Sequence, residues 1–199
     1  MVNNLIGQSP ARVDALGKVT GQALYPGDLT MPGMLHMKVL FARRPHARIK
    51  RLDTSRAESA PGVAAVLTAK DVPVNEFGLI LFDAPVLVSD TVRWVGDKVA
   101  VVVAETEKQA ARAVELIEVE YEDAPVVSDP REAMKPGAPQ LHAGKENNVL
   151  IHYRIRKGDA AEALRQADVI VEGTYHTPFQ EHAYLQPEAG LALLTRKGE

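Results

Sequence analysis

This sequence predicts an α+β fold in two successive parts: one complete small domain, then the first elements of a second. Three observations lead there. Short apolar runs with strand character are separated by Pro-Gly punctuation from about residue 25 onward. One apolar strand, KVAVVVAE (98–105), runs straight into an amphipathic helix, TEKQAARAVELI (106–117), and back into a strand, EVEYEDA (118–124). A stretch rich in Pro, Gly, Asn and charge, 126–148, then separates this block from further strand and helix patterns.

The elements can be justified in order. Residues 1–17 read as an arm, with Gly7, Pro10 and Gly17 and little periodicity. YPGDLTMPGM (25–34) carries two Pro-Gly pairs and predicts a loop. LHMKVLFA (35–42) predicts a strand with Leu35, Met37 and Val39 on the apolar side and His36 and Lys38 on the other. ARIKRLD (47–53) predicts a second strand. A short helix follows in 53–63, capped by Asp53 or Thr54 and stopped by Pro61-Gly62. VAAVLTA (63–69) is a further β run. Residues 72–90 are irregular around an apolar stretch, LILF (79–82).

KVAVVVAE is apolar on both faces, as a central strand should be. In the helix after it, Thr106 and Gln109 form a capping box, and Ala110, Val114 and Ile117 form the buried stripe. The adjacent return predicts a β-α-β segment in a mixed sheet. One short helical turn is expected at 130–134. Beyond the linker, VLIHYRIRKGD (149–159) is strand-like, and Asp159 caps a short helix with Glu162 completing the box. DVIVEGTYHTP (168–178) reads as a strand, and EHAYLQPEAGLALL (181–194) begins one more.

Composition excludes several classes of chemistry. The 199 residues contain no cysteine, which removes disulfides, thiolate metal sites, a cysteine nucleophile and any iron–sulfur cluster held by this chain. A net charge of −3 gives no reason to expect a polyanionic partner. The one basic cluster, ARRPHARIKR (42–51), lacks interleaved aromatics or a groove-fitting helix, so no nucleic-acid partner is expected. No apolar run approaches the roughly 20 residues that span a bilayer, and the N-terminus lacks signal-peptide character. No membrane partner is expected, and the chain reads as soluble and cytoplasmic.

Candidate chemistry is sparse. His176, Glu181 and His182 could ligate a metal, but lie on strand-like segments separated by Pro178 and lack the helical spacing that converges ligands on one point. Packed or hydrogen-bonded side chains are the simpler reading. Glu118, Glu120 and Glu122 line one strand face, where they read as a solvated, mutually repelling row that guards an edge rather than an acid–base pair. Dinucleotide- and phosphate-binding glycine motifs and the GxSxG elbow are absent. The residues therefore nominate no catalytic, cofactor-binding or metal site.

The ordered motifs resemble a known family. Arg12-x-Asp14, Lys18-Val19-Thr20-Gly21, Tyr25-x-x-Asp28, Pro32-Gly33-Met34-Leu35-His36, Pro45-His46-Ala47, Pro61-Gly62-Val63 and Asp71-Val72-Pro73 look like the start of the molybdenum-binding large subunit of the xanthine dehydrogenase/aldehyde oxidase family. VRWVGDKVAVVVAETEKQAARAVELIEVEYEDAPVV (92–127) and GDAAEALRQADVIVEGTYHTPFQEHAYLQPEAGLAL (158–193) continue the resemblance, which runs from about Pro10 onward.

The resemblance implies a hammerhead-type mixed sheet with short packed helices at 18–125, a linker at 126–148, and the start of a molybdopterin-binding domain from 149. It implies a molybdenum–molybdopterin cofactor in the complete enzyme, with iron–sulfur clusters and in some members FAD on partner domains, and none on this chain alone. The partners implied are the remainder of the large subunit and an iron–sulfur subunit or domain, with homo-oligomerisation open. The family's active-site glutamine, Gly-rich FGG segment and glutamate base correspond to no residue here. Its Leu-Glu-Pro appears as Leu185-Gln186-Pro187, an amide in place of a carboxylate, which argues against an acid–base site at 181–188. The chain itself is expected to be structural, as part of a hydroxylase large subunit or as a separate non-catalytic assembly subunit. The loop 72–90 is expected either to contact the cofactor domain or to cover its own core.

Overall fold

The computed structural model describes residues 6–79, 81–183 and 188–194. The chain divides into two units, 33–168 and 1–32 together with 169–199.

The unit 33–168 holds the core. Strands β1 (His36–Phe41), β7 (Lys98–Ala104) and β3 (Val63–Thr68) form one sheet in the order β1-β7-β3. Strands β6 (Thr91–Val92), β2 (Ala47–Asp53) and β8 (Glu118–Asp123) form a second, in the order β6-β2-β8. A small hairpin joins β4 (Glu76–Phe77) to β5 (Ala84–Pro85). Every pairing is antiparallel. The α+β class with short helices holds, and β7 is the central strand that its apolar faces demanded. The β-α-β expectation does not hold: β7 and β8 belong to different sheets. Helix α3 (Glu107–Val114) carries the chain from one sheet to the other.

The two faces of β7 explain this arrangement. Val99 packs with Ala42, Ala47, Val88 and Val92, while Ala100 and Val102 pack with Ala57, Ala113 and Ile117 under the helices. Leu40, Leu52 and Val119 touch both clusters, so the core is continuous. Val92, Val99 and Val102 are fully buried, each worth roughly 1.5–3 kcal/mol in transfer terms. Alanine supplies much of the remainder, which lets helix α3 lie close on the sheet.

Strand β1 forms as expected but turns the other way. Register places Lys38 opposite Val102 and Leu40 opposite Ala100, on the core side. Leu35 and Met37 are exposed instead. A lysine tolerates this position because its stem covers apolar surface while its ammonium reaches Glu107 at the start of α3, 2.6 Å away.

Helix ends follow local chemistry. Helix α2 (Ser55–Glu58) is capped by Asp53, whose Oδ1 accepts from the Ser55 N–H at 3.1 Å and from its hydroxyl at 2.6 Å. At Gly62 the backbone is left-handed, with φ of 77°, and a Cβ there would run into the Gln109 side chain. Thr106 accepts from the Gln109 N–H at 3.3 Å and donates its hydroxyl proton to Gln109 Oε1 at 2.7 Å. In α4 (Pro130–Ala133), within the expected turn, Asp129 caps Arg131 and Glu132. In α5 (Ala160–Gln166), Asp159 caps as expected, while the Glu162 carboxylate accepts from Gln166 instead of closing the box.

The other unit, 1–32 with 169–199, has helix α1 (Ala15–Val19) and a single 3₁₀ turn at Pro26–Asp28. None of its described residues is buried. The strand-like patterns at 149–159 and 168–178, and the one begun at 181–194, form no strand among the described residues. Their pattern is that of strands, but a strand also needs a neighbour to complete its ladder. Residues 184–187, including Leu185-Gln186-Pro187, lie outside the described residues, as does Ile80 of the LILF stretch.

Candidate functional site

The acidic row on β8 is a cross-strand ladder. Arg51 Nε donates to Glu120 at 2.8 Å, Lys50 Nζ to Glu122 at 3.1 Å, and Arg56 on α2 reaches Glu118 at 2.8 Å. Arg44 approaches Asp123 at 3.4 Å and lies over the Tyr121 ring. The expected mutual repulsion is therefore absent, because Lys50 and Arg51 of the basic cluster lie on the paired strand β2 and Arg56 lies on the adjacent α2. Repulsion follows from β8 taken alone, and its register with β2 is not visible in sequence. The edge position does hold, since β8 is an outer strand. Glu120 holds the Arg51 guanidinium above its ordinary range. Burial pushes the Tyr121 phenol up, and Arg44 partly opposes that shift. The charged groups are exposed and matched, a pattern that stabilises a sheet edge, while Tyr121 packs partly against the core.

The hairpin in 72–90 has a fixed base and a bare tip. Asn75 grips Leu87 from both sides: its Nδ2 donates to the Leu87 carbonyl at 2.7 Å and its Oδ1 accepts the Leu87 N–H at 2.9 Å. Leu87 and Val88 are buried. Leu79, at 101 % exposure, and Phe82, at 71 %, project into solvent, with Phe77 half-exposed beside them. Of the two expectations for this loop, covering its own core does not describe the tip.

The expected linker 126–148 is built round Asn148. Its Oδ1 accepts from the Leu141 N–H at 2.8 Å, and its Nδ2 donates to the carbonyls of Ala133 at 3.0 Å and Pro139 at 2.9 Å. Arg93 fastens the same loop by donating to the Leu141 carbonyl at 2.6 Å. Asn148 itself is left-handed, with φ of 56°, a conformation asparagine accepts readily. Two shallow cavities of about 340 and 320 Å³ flank it. The second brings His142 within 3.8 Å of Asp83, beside Lys145.

Among the described residues no group of three or more His, Asp or Glu side chains is placed to hold a metal ion. No described polar or charged residue is buried, and no buried side-chain atom lacks a partner. A pterin cradle needs many convergent donors in a shielded cleft. The residues described here do not fit that requirement, so no chemical step is assigned through the cofactor. No described helix is long and apolar enough to cross a membrane.

Two antiparallel three-stranded sheets, linked through α3 and carrying an apolar finger, define a small α+β domain. Comparison with known proteins gives the family. Residues 20–125 match the a/b hammerhead domain of aldehyde oxidase and xanthine dehydrogenase, and residues 141–199 match a molybdopterin cofactor-binding domain. The chain belongs to the aldehyde oxidase and xanthine dehydrogenase family. It is 45 % identical over 192 residues to a probable xanthine dehydrogenase subunit of Bacillus subtilis, covering 95 % of this chain and 26 % of that protein. It is 36 % identical over 195 residues to the nicotinate dehydrogenase large molybdopterin subunit of Eubacterium barkeri, covering 98 % and 45 %. Among solved structures, reconstituted CO dehydrogenase from Oligotropha carboxidovorans matches at 40 % identity with a TM-score of 0.64, over 67 % of this chain and 17 % of that one. Aldehyde oxidoreductase from Desulfovibrio gigas matches at 32 % identity and a TM-score of 0.69, over 81 % and 19 %. The chain thus spans a quarter to under a half of these curated relatives.

Proposed function

We propose that this chain is the N-terminal structural part of a molybdenum-cofactor hydroxylase large subunit and is not catalytic by itself. The observation that carries the reading is the contrast inside 72–90. Asn75 locks the hairpin base, while Leu79 and Phe82 at its tip are left to water. Exposed apolar side chains on a fastened finger suit a contact surface. We assign that finger to the cofactor-bearing remainder of the large subunit, where it helps to shape the approach of substrate.

In the complete enzyme a molybdenum–molybdopterin cofactor, held by residues other than those described, would supply hydroxylation of an aldehyde or N-heterocycle carbon with oxygen from water. In this reading the chain's own residues position and shield: the finger excludes water, the Arg51–Glu120 ladder seals an edge, and Asn148 fixes the exit from the domain. Linker 126–148 joins domain 18–125, preceded by arm 1–17, to the molybdopterin-binding domain begun at 149. Iron–sulfur clusters, and FAD where present, belong to partner subunits or domains, in a soluble cytoplasmic complex without nucleic acid or membrane. The absence of buried polar side chains among the described residues also suits a second reading, a separate assembly subunit of such a complex.

Purification of the native complex, with intact mass under denaturing conditions and molybdenum content, tests this. The proposal expects these residues within a much longer polypeptide carrying stoichiometric molybdenum. A native polypeptide of this length beside a separate molybdenum subunit selects the assembly reading. A polypeptide of this length with no molybdenum and no partner overturns both.

A further inference from the structure

The two three-stranded sheets finish their outward faces differently. On β6-β2-β8 the charges are matched: Arg51 meets Glu120, and Lys50 meets Glu122. On β1-β7-β3 the register builds two cross-strand rows. Met37, Val103 and Ala65 form one, and Val39, Val101 and Leu67 form the other. Every member is apolar, and none belongs to either buried cluster. Helices α2 and α3 lie against the opposite face, where Ala57 and Ala113 pack on Ala100 and Val102. Met37 and Leu67 are exposed, and so are Leu35 and Phe41, which extend the β1 end of the rows. A sheet that is apolar on both faces needs a packed layer on each. Here the described residues supply one.

We propose that this open face is an interface between two copies of the chain, packed sheet on sheet about a two-fold axis that runs across the strands. The inference goes beyond the large-subunit reading and does not rest on it. Three observations select a second copy. The rows carry no formal charge, so the face meets itself without repulsion and offers a charged partner nothing to pair with. Lys98, opposite Phe41 at one end, is drawn over the Phe77 ring at 5.6 Å, and an axis across the strands sets the two Lys98 side chains at opposite ends. The exposed area of the rows with Leu35 and Phe41 is roughly 500 Å² a copy, so a pair buries about 1,000 Å², enough for a specific but weak contact. Stacked sheets lie about 10 Å apart, a gap that medium apolar side chains fill from both sides. In this arrangement β1 lies over β1 of the second copy and β3 over β3, which brings the two Leu67 side chains together.

Sedimentation equilibrium of the 199-residue chain tests it, with a charge of either sign placed at position 67. The expected result is a reversible dimer, half-formed at a concentration on the order of 10–100 µM. Leu67→Lys alone and Leu67→Glu alone should each weaken it at least about tenfold, because like charges then face each other. An equimolar mixture of the two variants should recover most of that loss. Glu122→Gln, on the other sheet, should change the dimer less than about twofold. Leu67 is exposed, so unchanged urea midpoints serve as the control that each variant folds.

A chain that stays monomeric up to about 1 mM overturns the inference. So does a dimer indifferent to the charge at 67, or a pair of variants that the mixture fails to rescue, since indiscriminate apolar association has neither property. In the native complex the expectation is two copies of this chain, with Met37 oxidised by peroxide at least about tenfold more slowly than in the dilute chain. A complex holding one copy, or a Met37 that peroxide reaches equally fast in both, overturns it as well. The intact polypeptide mass and molybdenum content decide the large-subunit reading separately, so the two failures are distinguishable.

Discussion

Strand β7 and residues 149–157 carry comparable β signals and meet different fates. β7 lies between β1 and β3, and buries Val99 on one face and Ala100 and Val102 on the other. Residues 149–157 contain an alternating run at 151–156, yet none is buried and none joins a ladder. The difference is the neighbour. Periodicity states which face a strand will bury; only a chain in register with it supplies the ladder. In 33–124 the neighbours lie within the same stretch of sequence. For 149–157 and 168–178 the described residues hold none.

The largest effect that would break this comparison comes from one substitution made twice. Val102→Ala, at a fully buried position, should cost about 2 kcal/mol in chemical denaturation, whereas Val171→Ala, at an exposed one, should stay within about 0.5 kcal/mol. Asn148→Ala should follow closely. It removes three hydrogen bonds and places alanine at a positive φ, for roughly 1–3 kcal/mol by the same measurement. Thr106→Ala, which deletes the cap of α3, should cost about 1 kcal/mol, with serine restoring most of it. Phe82→Ser should leave stability within about 0.5 kcal/mol while weakening assembly of the native complex, since its ring is left largely to solvent.

Acid sharpens the comparison further. Asp53 is held below its ordinary value of 3.8, first by the Ser55 hydroxyl and then by the Ser55 N–H. Asp71 is lowered by the Thr68 N–H, and Asp129 by the N–H groups of Arg131 and Glu132. A lowered native pKa contributes stability that is present above 3.8 and is lost as pH falls through the still lower native value. All three cap turns in 33–168, so acid titration of thermal unfolding should show a loss beginning below about pH 4. Asp53→Asn should reduce its steepness.

Much of the fold could be read from the residues. β7, β2, β3, the start of α3, the short turn at 130–134 and the cap at Asp159 follow from local pattern, because each depends on neighbours within a few positions. The facing of β1 did not, because Lys38 takes a core-side position only once Glu107 is known to lie above it. Placing β7 and β8 in one sheet failed for the same reason: strand–helix–strand order does not say which sheet receives the return. The Arg51–Glu120 pairing joins residues 69 apart, and no local signal links them. The family was legible from ordered motifs such as Pro32-Gly33-Met34-Leu35-His36. The Asn148 clip was missed because a Pro- and Gly-rich stretch reads as a linker. Its signal was an asparagine closing such a stretch, a residue suited to αL and to several hydrogen bonds.

The central claim is that the buried core lies within 33–148 and that the described residues after it bury no surface of their own. Urea unfolding of 1–148 beside 1–199 tests this most directly, because the slope reports the surface exposed on unfolding. The account predicts the same midpoint and the same slope for both. A lower slope for 1–148 would mean that residues 149–199 bury surface of their own in this chain, and would contradict it.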